Sequence, residues 1–336
     1  MTQADFLSVE DVAVHLGARR RWLRPDVAPV RAVDGVSLDV RRGEILGIVG
    51  ESGCGKTTLG RTILGLQRES AGTIRLDGEV VSGKPARDAR AARRAIQYVH
   101  QDPGAALDPW WSVGHTMEEG LVIAGIGTKQ DRRARVEAAL AAVGLDPASR
   151  RRYPHEFSGG QLRRIGLARI LILEPAIVIL DEPTSGLDMS AQATVLNLLL
   201  EIRRARSLTY LFISHDLSVV RRLCDRVAVM YLGRIVELAP AQRLFSEATH
   251  PYSQALLAAA PKLEPGGLRS VPIAGEPPSA SRIPPGCRFA ARCLYVEPAC
   301  REHDPALTEI APGHAVACRR WSEIRAGASP TRDLAA

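Results

Sequence analysis

Apolar positions along this 336-residue chain fall into short blocks separated by polar turns. Residues 45–49, ILGIV, contain no polar side chain. That is the pattern of a short strand buried on both faces. A second run of the same kind spans Ala176 to Leu180, AIVIL. Elsewhere apolar residues recur at helical spacing. Leu59, Ile63, Leu64 and Leu66 predict a helix from about Lys56. Val136, Leu140 and Val143 predict one through RRARVEAALAAVGL. Leu162, Ile165, Leu167 and Ile170 predict one that opens at Ser158, a good N-cap residue. From Pro261 to Pro285, Pro and Gly become frequent and the periodicity fades, as in an extended connection. There is no internal repeat.

Composition adds bounds. Hydrophobic residues make up 46% of the chain but aromatics only 4%, so Leu, Ile, Val and Ala must fill the core. No run approaches the roughly 18 apolar residues of a membrane span. The longest, IGLARILILEPAIVIL, is broken by Arg169, Glu174 and Pro175. The opening MTQADFLSVEDV is acidic and lacks the basic and apolar regions of a signal peptide. A cytosolic chain is expected, and disulfides become the least favoured fate of its cysteines. The net charge of +7 comes largely from arginine clusters such as Arg19 to Arg21 and Arg150 to Arg152. This balance permits nucleic acid, anionic lipid or an acidic partner without choosing among them, and solvated surface is the simplest account.

The strand at 45–49 runs into Gly50-Glu51-Ser52-Gly53-Cys54-Gly55-Lys56-Thr57, followed by Thr58. This fits G-x-x-x-x-G-K-[ST] between a strand and a helix. Glycines let the backbone curl so that several N–H groups face one anion, and the helix adds its positive N-terminal end. Lys56 supplies a point charge for the β and γ phosphates, and Thr57 a hydroxyl for Mg²⁺. Cys54 reads as a small residue with no redox task. The run at 176–180 ends in Asp181-Glu182, at the carboxyl end of a strand, where ligands gather in open parallel sheets. Asp181 can organise Mg²⁺ through its water shell, and Glu182 can orient or deprotonate an attacking water. Ser158-Gly159-Gly160-Gln161 exposes a second helix N-terminus suited to an anion. One ATP does not need two such ends from one chain, but two facing chains could use both.

In this order the motifs resemble the ATP-binding subunit of an ABC transporter, over nearly the whole chain. The resemblance implies an α/β P-loop NTPase with a parallel sheet core, a helical insert at about 103–175 and a small cysteine-containing C-terminal extension. It makes Gln101 the Q-loop glutamine that senses Mg²⁺ and water, Ser158 to Gln161 the signature facing a partner's ATP, and Asp188 part of the D-loop. His215 becomes the switch histidine that contacts the γ-phosphate. Two such domains would form a head-to-tail sandwich around ATP and Mg²⁺. Leu162 stands where the signature usually continues with Gln or Arg, and Gly186 where the D-loop usually has Ala. The family's adenine-stacking aromatic falls near His15, with Trp22 as the rival.

Finer segments, IQYVHQDPGAALDPWWSVG, YPHEFSGGQ and HPYSQALLAAAP among them, are similar to the oligopeptide and dipeptide importers, with His100 where that branch usually has Phe. The implied layout is a nucleotide-binding domain at 1–245, an extension at 246–325 and a mobile tail at 326–336. The implied place is the cytoplasmic face of the membrane, as a peripheral subunit. The implied partners are a second ATPase, a non-identical paralogue or else a second copy, two permease subunits and, indirectly, a solute-binding protein. Nucleic acid is not expected. The alternatives are a soluble ABC-type ATPase acting on nucleic acid or ribosomes, a metal- or redox-sensing regulator with a vestigial ATPase, or import of a non-peptide solute such as nickel or an opine. Cys287, Cys293, Cys300 and Cys318 have spacings unlike a zinc finger. Four thiolates suit a [4Fe–4S] cluster or, less well, Zn²⁺. The similar tail of the importers carries these cysteines, and some members hold a cluster there. Leu294 replaces the proline usual after the second cysteine, and reduced structural thiols are the other reading. His303 and His314 are expected at the surface.

Overall fold

The computed structural model describes residues 6–17, 28–83, 94–99, 107–260, 262–264, 267–269, 273 and 275–331. The chain divides into two compact units, residues 1–83 with 212–336, and residues 84–211. In the first unit an antiparallel sheet runs from Val30–Val40 through Leu7–Leu16 and Ala71–Leu76 to Glu79–Val80. A mixed sheet pairs Ile45–Val49 in parallel with Arg226–Tyr231. Arg234–Pro240, His314–Val316 and Thr308–Ala311 continue it with antiparallel pairing. In the second unit Ile96–Val99 lies parallel to Ile177–Asp181. The helices Val113–Ile123, Lys129–Ala142, Gly159–Leu171 and Met189–Arg206 belong to the same unit. The chain passes from the second unit to the first within the strand Thr209–Ile213.

The apolar runs are buried along their whole length, at 45–49, 177–181, 209–213 and 226–231. Continuous burial is what a strand covered on both faces requires. Each fully buried Leu, Ile or Val contributes about 1.5–3 kcal/mol. The expected strand at 45–49 is found with those bounds, and the expected Ala176–Leu180 is found one residue later. The helix from Lys56 is shorter than its apolar spacing suggests. It ends at Ile63, where the Leu66 N–H turns back to Arg61 O (2.9 Å), and Leu66 is 61% exposed. The buried residues of the helix at Gly159–Leu171 are Ile165, Gly166, Leu167, Ala168 and Leu171, with Leu162 and Ile170 only half-buried. Within the Pro- and Gly-rich connection, the three-residue strands Lys262–Glu264 and Gly267–Arg269 pair as a small hairpin.

The C-terminal hairpin is tied in by a buried polar network. Glu237 is fully buried on the strand Arg234–Pro240. It accepts hydrogen bonds from the backbone N–H groups of Thr249 (2.8 Å) and His250 (3.0 Å) and bonds His314 Nε2 (2.8 Å). His314 is therefore interior, contrary to its expected surface place, while His303 is exposed. Burial alone would raise the Glu237 carboxyl, but the bonds from His314, Thr249 and His250 outweigh it and hold its pKa below the usual value. His250 caps the helix Pro251–Ala259 by accepting the Tyr252 N–H at Nδ1 (3.0 Å). Burial pushes its pKa down to about 4, against the attraction of Glu237, so the folded ring is neutral at pH 7.

Two glycines are dictated by contact in the loop at 50–57. A Cβ on Gly50 would sit 2.1 Å from Met230 O, and one on Gly55 2.1 Å from Ala32 O. Both have positive φ, 152° and 111°. The backbone is pressed against two neighbouring strands where no side chain fits.

Two outcomes follow for stability. Gly55→Ala should destabilise the full chain by about 2–4 kcal/mol in urea unfolding, because both the φ and the contact forbid a Cβ; an unchanged midpoint would contradict the close approach. For His250, the unfolded ring protonates near its ordinary 6.5 and the folded ring near about 4. Between those values the unfolded chain binds more protons, so stability falls as pH drops from 6.5 to 4, by up to about 3 kcal/mol. His250→Asn, which keeps a capping side chain, should flatten the unfolding free energy across that window, and parallel curves for the two proteins would refute the assignment.

Candidate functional site

In the first unit the loop at 50–57 leaves the buried strand Ile45–Val49 and enters the helix Lys56–Ile63, with Gly55 as a left-handed N-cap. Ser52 and Gly53 form the exposed tip, while Cys54 and Lys56 face inward. The Lys56 ammonium donates to the carbonyls of Gly50 (2.7 Å) and Glu51 (2.9 Å) and lies 3.7 Å from Cys54 Sγ. A cation placed inside the curl, at the positive end of a helix, makes a receptor for a phosphate chain. Burial pushes the Cys54 thiol up despite Lys56, which favours the neutral, unreactive form.

The C-terminal segment reaches this loop. The Glu51 N–H donates to Tyr252 Oη (2.8 Å), and Tyr252 is fully buried on the helix that His250 caps. The Glu51 carboxylate takes both terminal nitrogens of Arg292, at 2.7 and 2.9 Å. Tyr231, Tyr252 and Phe289 pack with ring centroids 4.5–5.4 Å apart beside this pair. Neither Tyr252 nor Arg292 was foreseen as part of the site. The His-Pro-Tyr sequence was a visible mark, but its bond partner lies 201 positions away.

His15 lies on the strand Leu7–Leu16, its side chain one-third exposed and its Nε2 3.3 Å from Asp34 Oδ1. Asp34 also pairs with Arg288 at 2.5 Å. Burial would raise its carboxyl, but Arg288, His15 and Arg31 together hold it below the usual value. His215 is exposed just past the strand Thr209–Ile213. The preceding Ser214 N–H bonds Ile48 O (3.2 Å), which ties that turn to the strand feeding the loop.

In the second unit Asp181 is buried at the end of its strand and accepts a hydrogen bond from the Tyr98 hydroxyl. Glu182 follows with a left-handed backbone, φ 50°. The turn after it is braced from the helix Gly159–Leu171. Arg163 donates to Pro183 O at 2.7 Å and also to Ser185 O. Ser158 caps that helix, accepting the Gln161 N–H at 3.4 Å, while Gln161 Oε1 accepts the Ser158 N–H at 3.0 Å. This reciprocal box leaves open space over Gly159 and Gly160. The structure thus brings the Ser158–Gln161 helix and the Asp181–Glu182 turn together through Arg163, a residue with no sequence signal. Asp188 caps the helix Met189–Arg206, accepting from Ser190 and Ala191 at 2.9 Å each. Gln101, His100 and Trp22 lie outside the described residues.

Cys287, Cys293, Cys300 and Cys318 all line one pocket of about 390 Å³ that includes open solvent, with Phe289 and His303 among its walls. All four are free thiols. Burial pushes Cys287 and Cys293 up to about 11 and Cys318 up to about 12. Among the described residues no group of three or more His, Cys, Asp or Glu is arranged to hold a metal ion. The donor chemistry suits a soft metal, while burial disfavours the thiolate forms of Cys287, Cys293 and Cys318 that a metal would need.

Two family models match the chain, "ABC transporter" over residues 33–185 and "Oligopeptide/dipeptide transporter, C-terminal region" over residues 236–300. The oligopeptide transport ATP-binding protein AppF of Bacillus subtilis is 45% identical over 324 residues, 95% of this chain and 98% of its own length. A Brucella ovis protein with a provisional name as a peptide import ATP-binding protein is 47% identical over 321 residues, 95% of this chain and 99% of its own. Among solved structures, cbiO1 of Clostridium perfringens, part of the ABC transporter complex cbiONQ, superposes with a TM-score of 0.63 at 29% identity, covering 72% of this chain and 91% of that one. The ATP-binding cassette MJ0796, solved as a dimer bound to ADP and phosphate, shares the fold at TM-score 0.61 and 24% identity, covering 70% and 98%. With a phosphate loop of this geometry and relatives aligned along nearly their whole length, the chain belongs to the ATP-hydrolysing subunits of ABC transporters, in the branch that carries the oligopeptide/dipeptide C-terminal region.

Proposed function

We propose that this chain hydrolyses ATP to drive an ABC importer for peptides, bound peripherally at the cytoplasmic face of the membrane. The observation that carries the reading is the near-full-length similarity to AppF, which spans both the cassette and the C-terminal region. Among the described residues no helix is long and apolar enough to cross a membrane. Two permease subunits and a second ATPase, a non-identical paralogue or else a second copy of this chain, complete the assembly, with a solute-binding protein delivering peptide. The organisation that fits is a cassette at 1–245 with its helical insert at about 103–175, an extension at 246–325 and a tail at 326–336.

In this reading the backbone from Gly50 to Thr58 receives the phosphates, with Glu51, Ser52, Gly53, Cys54 and Gly55 shaping the curl. Lys56 balances the β and γ charge. Thr57, Asp181 and Gln101 serve Mg²⁺, Asp181 through its water shell, and Gln101 also senses the attacking water. Glu182 orients the attacking water, and His215 meets the γ-phosphate. His15 offers a ring face to adenine while Asp34 holds its edge. The open helix end at Ser158, Gly159, Gly160 and Gln161 suits the ATP of a partner cassette, with Asp188 beside that interface. ATP supplies the driving force when bound; the residues here bind it, orient it and handle the proton of the attacking water.

The shared pocket of Cys287, Cys293, Cys300 and Cys318 supports a second, structural reading, a [4Fe–4S] cluster in preference to Zn²⁺. Four cysteines within residues 287–318 line one pocket, and four cysteine ligands are what such a group would need. Holding it would require the thiols to ionise, against the burial that raises Cys287, Cys293 and Cys318.

Purification from native membranes tests the transport reading. Permease subunits should copurify, and the Glu182→Gln complex should retain ATP after washing; recovery with ribosomes or nucleic acid instead would overturn it. Anaerobic purification with iron and sulfide assays tests the pocket. About four irons and four sulfides per chain are expected for that cluster, and a colourless, metal-free, fully active protein would remove it.

A further inference from the structure

The phosphate loop carries its own negative charge, and a residue far along the chain cancels it. Glu51 is the second residue of a loop whose task is to receive a polyanion. An unneutralised carboxylate there would repel the phosphates it flanks, with little solvent to screen it. Its partner is the guanidinium of Arg292, which is 3% exposed as a side chain, against 25% for Glu51. Both terminal nitrogens engage both carboxylate oxygens, at 2.7 and 2.9 Å, the fork-on-fork geometry that fixes orientation as well as charge. The same loop residue is held at its backbone, since the Glu51 N–H donates to Tyr252 Oη at 2.8 Å. On the other side of the backbone, the Glu51 carbonyl accepts from Lys56 at 2.9 Å. Four directed bonds, from Arg292, Tyr252 and Lys56, thus converge on one residue of the loop.

We propose that Arg292 is a positioning residue for nucleotide binding. It neutralises Glu51 and, with Tyr252, holds the phosphate loop in its anion-receiving curl, so that the C-terminal extension sets the affinity for ATP. Arg292 does not touch nucleotide in this scheme; it acts through Glu51. Because Arg292 immediately precedes Cys293, one wall of the cysteine pocket, the anchor and the pocket share a backbone. The proposal rests on the reading of the loop at 50–57 as the phosphate site.

The test is a charge-rescue cycle in the full-length chain, read as the dissociation constant for Mg-ATP with thermal unfolding as a folding control. Arg292→Met exposes the carboxylate and should weaken ATP binding by roughly tenfold, within the usual range of site-to-site coupling. Adding Glu51→Gln to that variant removes the repulsion and should restore affinity to within about threefold, a recovery that lost packing alone would not show. Arg292→Lys, which keeps the charge and loses the fork, should fall between wild type and Arg292→Met. Unchanged affinity in a folded Arg292→Met chain would overturn the proposal, and so would a double variant no better than the single one. If Arg292→Met fails to fold, Arg292→Lys and its combination with Glu51→Gln decide on the same criterion. Lys56→Ala serves as the reference. If it leaves ATP binding intact, the loop is not the phosphate site and the underlying reading falls; if it abolishes binding while the Arg292 variants stay normal, only the positioning role falls.

Discussion

A loop that aims its N–H groups at one anion must be held in a shape that its own sequence does not favour. Here the restraint comes from contact. Gly50 lies against the carbonyl of Met230 and Gly55 against that of Ala32, so the loop has no freedom to move inward. Lys56 bonds two loop carbonyls and so ties the loop to the first residue of the helix. The buried strands at 45–49 and 226–231 supply the rigid floor for this arrangement. Their burial is therefore what the site depends on, because a softer sheet would let the curl relax.

Charge is managed as closely as shape. Glu44 and Asp39 share Arg226, Asp34 takes Arg288, and Glu237 is met by His314 and two backbone N–H groups. Each of these carboxylates is at least half-withdrawn from water and each has a directed partner. Breaking one such pair by removing a single member leaves a buried charge, at a cost well above the net value of the intact pair. The C-terminal segment contributes Arg288 and His314 to this set, and Arg292 pairs in the same way with Glu51.

What could be read from the sequence was local. The strands at 45–49 and 177–181, the phosphate loop and the Ser158 cap each follow from a contiguous pattern, because each rests on neighbours in the chain. What could not be read is distant. Tyr98 on Asp181, Arg163 on Pro183 and Arg292 on Glu51 are pairs separated by 83, 20 and 241 positions. No periodicity encodes such a partner, and arginine is so common in this chain that no single one stands out. The same reason misplaced His314. A histidine in a polar tail looks exposed until the strand that buries it against Glu237 is known. Helix length at 56–63 was overestimated because apolar spacing continues past the turn that ends it.

The bond between Arg292 and Glu51 also bears on where one module stops and the next begins. By composition the cassette closes before the extension opens, and a deletion at that seam looks harmless. By charge the seam does not exist, since a chain cut there keeps Glu51 and discards the cation that pairs with it. For truncation, the piece that must be kept whole is set by this ion pair rather than by the point where apolar periodicity fades.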